Sequence, residues 1–151
     1  MQALPLAHLR NSREVEAAYE AVPEDQKAEI LDGQLSVAPR PGRAHTRRAS
    51  RLTMLIGGPF DLGVGGPGGW VILDEPELHL GEGPDKCQPD LAGWRRERLL
   101  DAVAGPPHYD VPPDWICEVL SDRTEPDDRG RKMRIYRREA VGYYWLVNPV
   151  L

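Results

Sequence analysis

The chain predicts an α/β domain with a mixed central sheet flanked by helices. Three observations carry that reading. Helical and strand-like periodicities follow one another in the order helix, hairpin, helix, strands, helix, strand. The run Asp114–Leu120 is apolar on both faces, the pattern of a central strand covered on both sides. The length, 151 residues, suits one domain, 1–151, around one core.

The elements follow in order. Arg13–Ala21 sets Val15, Ala18 and Tyr19 at helical spacing, and Pro23-Glu24-Asp25 closes it. Glu29–Ala38 forms a hairpin that turns at Asp32-Gly33. Ala44–Ile56 is a second helix with Ala49, Leu52 and either Leu55 or Ile56 as its apolar stripe; it also carries His45, Arg47, Arg48 and Arg51. Gly57–Gly69 is a glycine-rich connection, broken by Pro59 and Pro67 and lacking the Lys-Ser or Lys-Thr of a phosphate loop. Trp70–Leu80 alternates as a strand interrupted near Pro76, Gly81–Lys86 turns the chain, and Gln88–Trp94 is the next strand. Arg95–His108 is a surface loop with a helical turn. After the strand Asp114–Leu120 and a turn at Ser121–Pro126, Asp127–Ala140 forms a third helix with Met133, Tyr136 and Ala140 as its apolar stripe. Gly142 ends it, and Tyr143–Val147 is the last strand.

Composition narrows the function classes. Charged residues make up 28% and the formal net charge is −5, unlike a dedicated nucleic-acid binder. A DNA-active protein of this balance must segregate its cations. Cys87 and Cys117 have no metal-type spacing and cannot make a disulfide framework, so a reducing cytoplasm fits. No apolar run reaches membrane-spanning length, and Met1–Arg10 lacks a signal pattern; the expectation is a cytoplasmic protein with no membrane partner.

Asp90 and Glu118 on neighbouring strands, with Lys132 on the following helix, supply the minimal set for metal-assisted phosphodiester cleavage. Carboxylates hold Mg²⁺ and leave coordination sites open. A nearby ammonium offsets developing negative charge. Glu118 lies in a buried strand, where an unpartnered carboxylate costs several kcal/mol; a metal or a lysine would offset it, unless the side chain sits at a solvent-exposed strand end. Asp90 is a ligand or a turn-forming aspartate, and Glu29 an accessory carboxylate or a hairpin charge. Arg131, Arg134 and Arg138 meet phosphates or form a solvated face paired with Asp127 and Asp128. His45 is expected at the surface or as a cap, and Glu77, His79 and Cys87 match no closed zinc spacing.

The stretches Ala28–Leu35, the helix from His45, Gln88–Trp94, Pro113–Ser121, Asp128–Lys132 and Tyr143–Pro149 resemble, in order, the Uma-type family, a large bacterial group of restriction-endonuclease-like proteins. The resemblance implies a PD-(D/E)XK nuclease fold. It assigns metal binding to Asp90 and Glu118, catalysis to Lys132 and an accessory role to Glu29. Leu120 stands where the usual acid-x-lysine order puts the lysine; the family pattern moves it to the next helix, which Lys132 satisfies. Family members continue past the last strand, so the expectation here is a C-terminally truncated domain or an edge completed by a partner chain. The resulting expectation is a Mg²⁺- or Mn²⁺-dependent DNA endonuclease, a homodimer whose Arg47, Arg48, Arg51 and Arg131 contact the DNA backbone. The alternatives are a non-catalytic interaction module on the same scaffold and a small-molecule metal hydrolase.

Overall fold

The computed structural model describes residues 10–121 and 123–148. Helix α1 (Arg13–Glu20) is capped by Ser12, whose hydroxyl accepts from the Val15 amide. Strands β1 (Gln26–Leu31) and β2 (Gln34–Pro39) form the expected hairpin. Its turn residues Asp32 and Gly33 both take positive φ, 52° and 76°, the twist that suits a two-residue turn. Helix α2 (Arg43–Gly57) runs on into a π-helical turn over Gly58–Leu62, inside the stretch expected as a plain loop. The Asp61 carboxylate accepts from the Ile72 amide at 2.8 Å and ties that turn to the sheet.

Six more strands and two helices follow: β3 (Trp70–Asp74), β4 (Leu78–Leu80), β5 (Asp85–Cys87), β6 (Leu91–Arg95), β7 (Trp115–Val119), α3 (Glu125–Arg129), α4 (Arg131–Arg138) and β8 (Tyr143–Val147). The class is mixed α/β as expected, with the strands distributed over two four-stranded sheets, β2-β1-β5-β4 and β3-β6-β7-β8. All pairings are antiparallel except β7 with β8.

Three boundaries differ from the sequence reading. The single strand Trp70–Leu80 is two strands in different sheets, because Glu75 takes φ 47° ahead of Pro76 and redirects the chain. The turn expected at Gly81–Lys86 already contains the start of β5, whereas β6 begins at Leu91 rather than Gln88; Pro89 has no amide to give a ladder. The third helix is broken at Gly130, where a Cβ would lie 2.9 Å from the Pro126 carbonyl oxygen. Its inward stripe is also different. Helix α4 buries Lys132, Ile135 and Tyr136, while Met133 is exposed and Ala140 lies past the helix end with φ 60°.

The core has two parts, one on each face of β7. Ile116 joins Ala92 and Trp94 of β6, Leu31, Leu78, Leu80 and Cys87 of the other sheet, and Ile135 and Tyr136 of α4. Trp115 and Cys117 join Leu91 and pack with Leu52 and Ile56 of α2. Alternation along β7 therefore sends even-numbered side chains toward α4 and odd-numbered ones toward α2. Glu118 is even-numbered, so it faces the α4 side.

Candidate active site

The register of β6 on β7 pairs Leu91 with Cys117 and Ala92 with Ile116. Asp90 immediately precedes β6, and continuing that register by one residue would set it opposite Glu118. Directly opposed residues in an antiparallel pair share a face. Both acids are buried, and both line one cleft of about 210 Å³. The Asp90 carboxylate is fixed by two contacts at Oδ2: the Val119 amide donates to it at 2.7 Å, and His45 Nε2 lies 3.2 Å away.

Lys132 reaches this place from α4. It is 2% exposed, and its Nζ lies 3.1 Å from Glu29 Oε1, 3.3 Å from Glu118 Oε1 and 3.1 Å from Asp128 Oδ1. Asp128 is fully buried, and its contact with the ammonium is an ion pair without hydrogen-bond alignment. Glu29 enters from β1, and its Oε2 accepts from the Gln88 amide at 2.8 Å. That bond ties the hairpin to the chain just before Pro89-Asp90. One ammonium thus gathers acids from β1, β7 and α3.

The electrostatics follow from this imbalance. Burial pushes the Glu118 carboxyl up to about 8, against the pull of Lys132 and with the help of Asp90 and Asp128. Burial also raises Asp128, although Lys132 opposes it. Glu29 is equally desolvated, but Lys132, Lys27 and the Gln88 amide together hold it below the usual carboxylate range. Burial likewise works against ionisation of Asp90, and the His45 bond and Lys27 outweigh it. The bond to Asp90 raises the His45 pKa in turn. Lys132 stays charged: burial opposes its charge, but Glu118, Glu29 and Asp128 drive its pKa well above the ordinary value.

Carboxylate oxygens suit a hard divalent cation. Asp90 and Glu118 both line the cleft and could offer such oxygens to it. The cleft's cationic lining is Lys27, Arg40, Arg123 and Lys132, joined by His45. Of the arginines singled out in the sequence, Arg47 and Arg51 are exposed and Arg48 half-buried on α2, outside that lining. Arg131 pairs with Asp127 at 2.9 Å and with Gln34 at 3.2 Å. His45, expected at the surface or as a cap, instead holds Asp90. Asp128, expected beside Asp127 on a solvated arginine face, is instead fully buried against Lys132, and its i,i+4 spacing from that lysine is the signal in the sequence.

The chain matches the family model described as "Uma2: Putative restriction endonuclease" over residues 14–150, and it belongs to that family. Its fold is that of a crystal structure described as a "putative nuclease belonging to DUF820" from Anabaena variabilis ATCC 29413. That structure shares 16% identity with this chain at a TM-score of 0.73, covering 89% of this chain and 73% of the other. None of the curated proteins matches. Among the described residues, no helix is long and apolar enough to cross a membrane.

Proposed function

We propose that this protein is a metal-dependent endonuclease acting on DNA phosphodiesters. The observation that carries the reading is the Lys132 ammonium within 3.3 Å of three buried acids, beneath a cleft that Asp90 and Glu118 line. Asp90 and Glu118 would hold Mg²⁺ or Mn²⁺. When bound, the ion offsets the carboxylate charge and stabilises the charge that builds on a phosphodiester at its transition state. Lys132 keeps a fixed positive charge beside the acids, where a neutral group could not serve. Glu29 and Asp128 position Lys132, and His45 positions Asp90. Lys27, Arg40 and Arg123 are the cleft's cations available to phosphate, so the net charge of −5 does not prevent local attraction. The sequence-selected Arg47, Arg48, Arg51 and Arg131 then serve, at most, the more distant backbone. Two buried free cysteines, Cys87 and Cys117, support a reducing cytoplasm as its place.

Plasmid nicking tests the reading. Wild type should nick in Mg²⁺ or Mn²⁺ and stop in EDTA. Lys132→Ala should lower the rate by about 10²–10³-fold, the range for one electrostatic donor, while Mn²⁺ binding persists. Glu118→Gln should weaken both binding and cleavage. No nicking by wild type across several metals and DNA forms would sink the nuclease reading. It would favour an interaction module, a second reading supported by the exposed apolar residues Met54, Leu55, Leu62 and Val64 beside α2.

A further inference from the structure

A second cluster of ligating side chains lies outside the carboxylate cleft. Glu77, His79 and His108 each offer one ligand atom, and these atoms all lie within 4.8 Å of one another. His79 sits on β4, at the edge of the first sheet. His108 comes from the segment after β6, which backbone bonds already hold against β4: the Tyr109 amide donates to the Glu77 carbonyl at 2.9 Å, and the His79 amide to the Tyr109 carbonyl at 3.0 Å. The two imidazoles stack with centroids 3.8 Å apart and planes within 8°, so one ring turns about its side-chain torsions before both in-plane lone pairs meet at one ion.

We propose that Glu77, His79 and His108 form a binding site for a zinc-class transition ion. The donor set is two imidazoles and one carboxylate, a combination that zinc takes with a fourth position left open. His79 Nε2 is buried with no hydrogen-bond partner, and it lies 3.6 Å from Glu77 Oε2. Tetrahedral bonds of about 2.0–2.1 Å put neighbouring donors roughly 3.4 Å apart, close to that spacing. The other Glu77 oxygen, Oε1, accepts from the Tyr19 hydroxyl, which fixes the carboxylate and leaves Oε2 turned to the histidine. Asp110 Oδ1 lies 3.3 Å from His108 Nε2, so His108 would ligate through Nδ1 or exchange that contact for the ion. The nearby cation Lys86 is held away by Glu16 at 2.7 Å. Such an ion would clip the His108 segment to β4, and it differs from the oxygen-ligated ion proposed for Asp90 and Glu118.

The test uses the full chain with excess Mg²⁺ to occupy the oxygen site. Dialysis against Zn²⁺ followed by metal analysis should give about one bound ion per chain, and the melting temperature should rise with free Zn²⁺. His79→Ala and His108→Gln should each lose the ion and the thermal shift, while Glu118→Gln keeps both. Co²⁺ in wild type should give the intense visible absorption of a four-coordinate site, which needs no variant to fold. A six-coordinate Co²⁺ spectrum, no Zn²⁺ uptake by wild type, or equal uptake by the histidine variants would overturn the proposal. Nuclease activity plays no part in these readouts, so the two proposals fail independently.

Discussion

Lys132 is buried so completely that its removal is a stability experiment as well as a catalytic one. Three acids surround it, and taking away one partner of a buried ion pair costs about 3–5 kcal/mol. Lys132→Met should therefore lower the urea midpoint in EDTA markedly, and Mg²⁺ should restore part of the loss, because the ion supplies the missing positive charge. No loss in EDTA would mean that Glu29 also is protonated beside Lys132 and that the cluster is not an ionic one. Glu118 gives a second prediction. Its carboxyl, ordinarily 4.5, is pushed up to about 8 in the fold, chiefly by burial. Between those values the folded protein holds a proton that the unfolded chain has released. Its contribution to stability must then fall as pH rises through that window. The raised pKa of His45 acts in the same direction above its ordinary value, so the variant is needed to separate them. Urea midpoints in EDTA should drop from pH 5 to pH 8 in wild type and drop less in Glu118→Gln; equal slopes would refute the assignment. Asp90, Glu118, Lys132 and Glu29 were legible because motif order survives in a linear sequence. The reach of Lys132 to Glu118 was legible too, from a buried carboxylate that needs a partner; the contacts of Asp128 with Lys132 and of His45 with Asp90 were not. Those depend on how α2 and α3 dock, and nothing in a histidine at a helix start announces an aspartate 45 residues away.

At the scale of elements, α3 and α4 break at Gly130, between Asp128 and Lys132, which both face inward. Gly130 sits at that break, and its amide donates to the Pro126 carbonyl at 3.0 Å. A Cβ there would meet that same oxygen at 2.9 Å, and a backbone oxygen cannot rotate away as a side chain would. Gly130→Ala should therefore destabilise by about 1–3 kcal/mol, the range for forced overpacking, and lower any cleavage more than Met133→Ala does. Urea unfolding and nicking of both variants check this; a Gly130→Ala protein as stable and active as wild type would show that the break is incidental. The same helix shows why periodicity misled. A stripe of Met133, Tyr136 and Ala140 is the apolar choice, yet the inward face carries a lysine because acids wait beneath it. Apolar patterning cannot reveal an inward charge whose partners come from other elements. The strands β1, β2, β7 and β8 were visible from alternation and turn chemistry. The split between β3 and β4 was not, since a change of sheet leaves no mark beyond Glu75-Pro76.

For the molecule as a whole, the second sheet ends, among the described residues, on β8, which pairs on one side with β7 and stands at the edge. An edge strand offers unpaired backbone groups to another chain. Beside it, Ile56, Phe60, Trp70, Ile72, Trp115, Tyr143 and Trp145 line an apolar groove of about 270 Å³. Tyr143 and Trp145 remain 60% and 46% exposed, large aromatic surface for a strand end to leave in water. The homodimer expected from the sequence is best placed here, with β8 edges or grooves of two copies facing each other. Such an assembly would leave the carboxylate cleft open, because Glu118 faces α4 on the opposite side of β7 from Trp115 and none of the groove's lining residues lines the cleft. Sedimentation velocity at micromolar concentration should therefore show a dimer for wild type. Tyr143→Glu places a charge on the exposed edge without entering the core, and it should shift the protein toward monomer while metal-dependent nicking per chain persists if each cleft acts alone. A wild-type monomer at these concentrations would remove the dimer. A Tyr143→Glu protein that stays dimeric would move the interface to another surface.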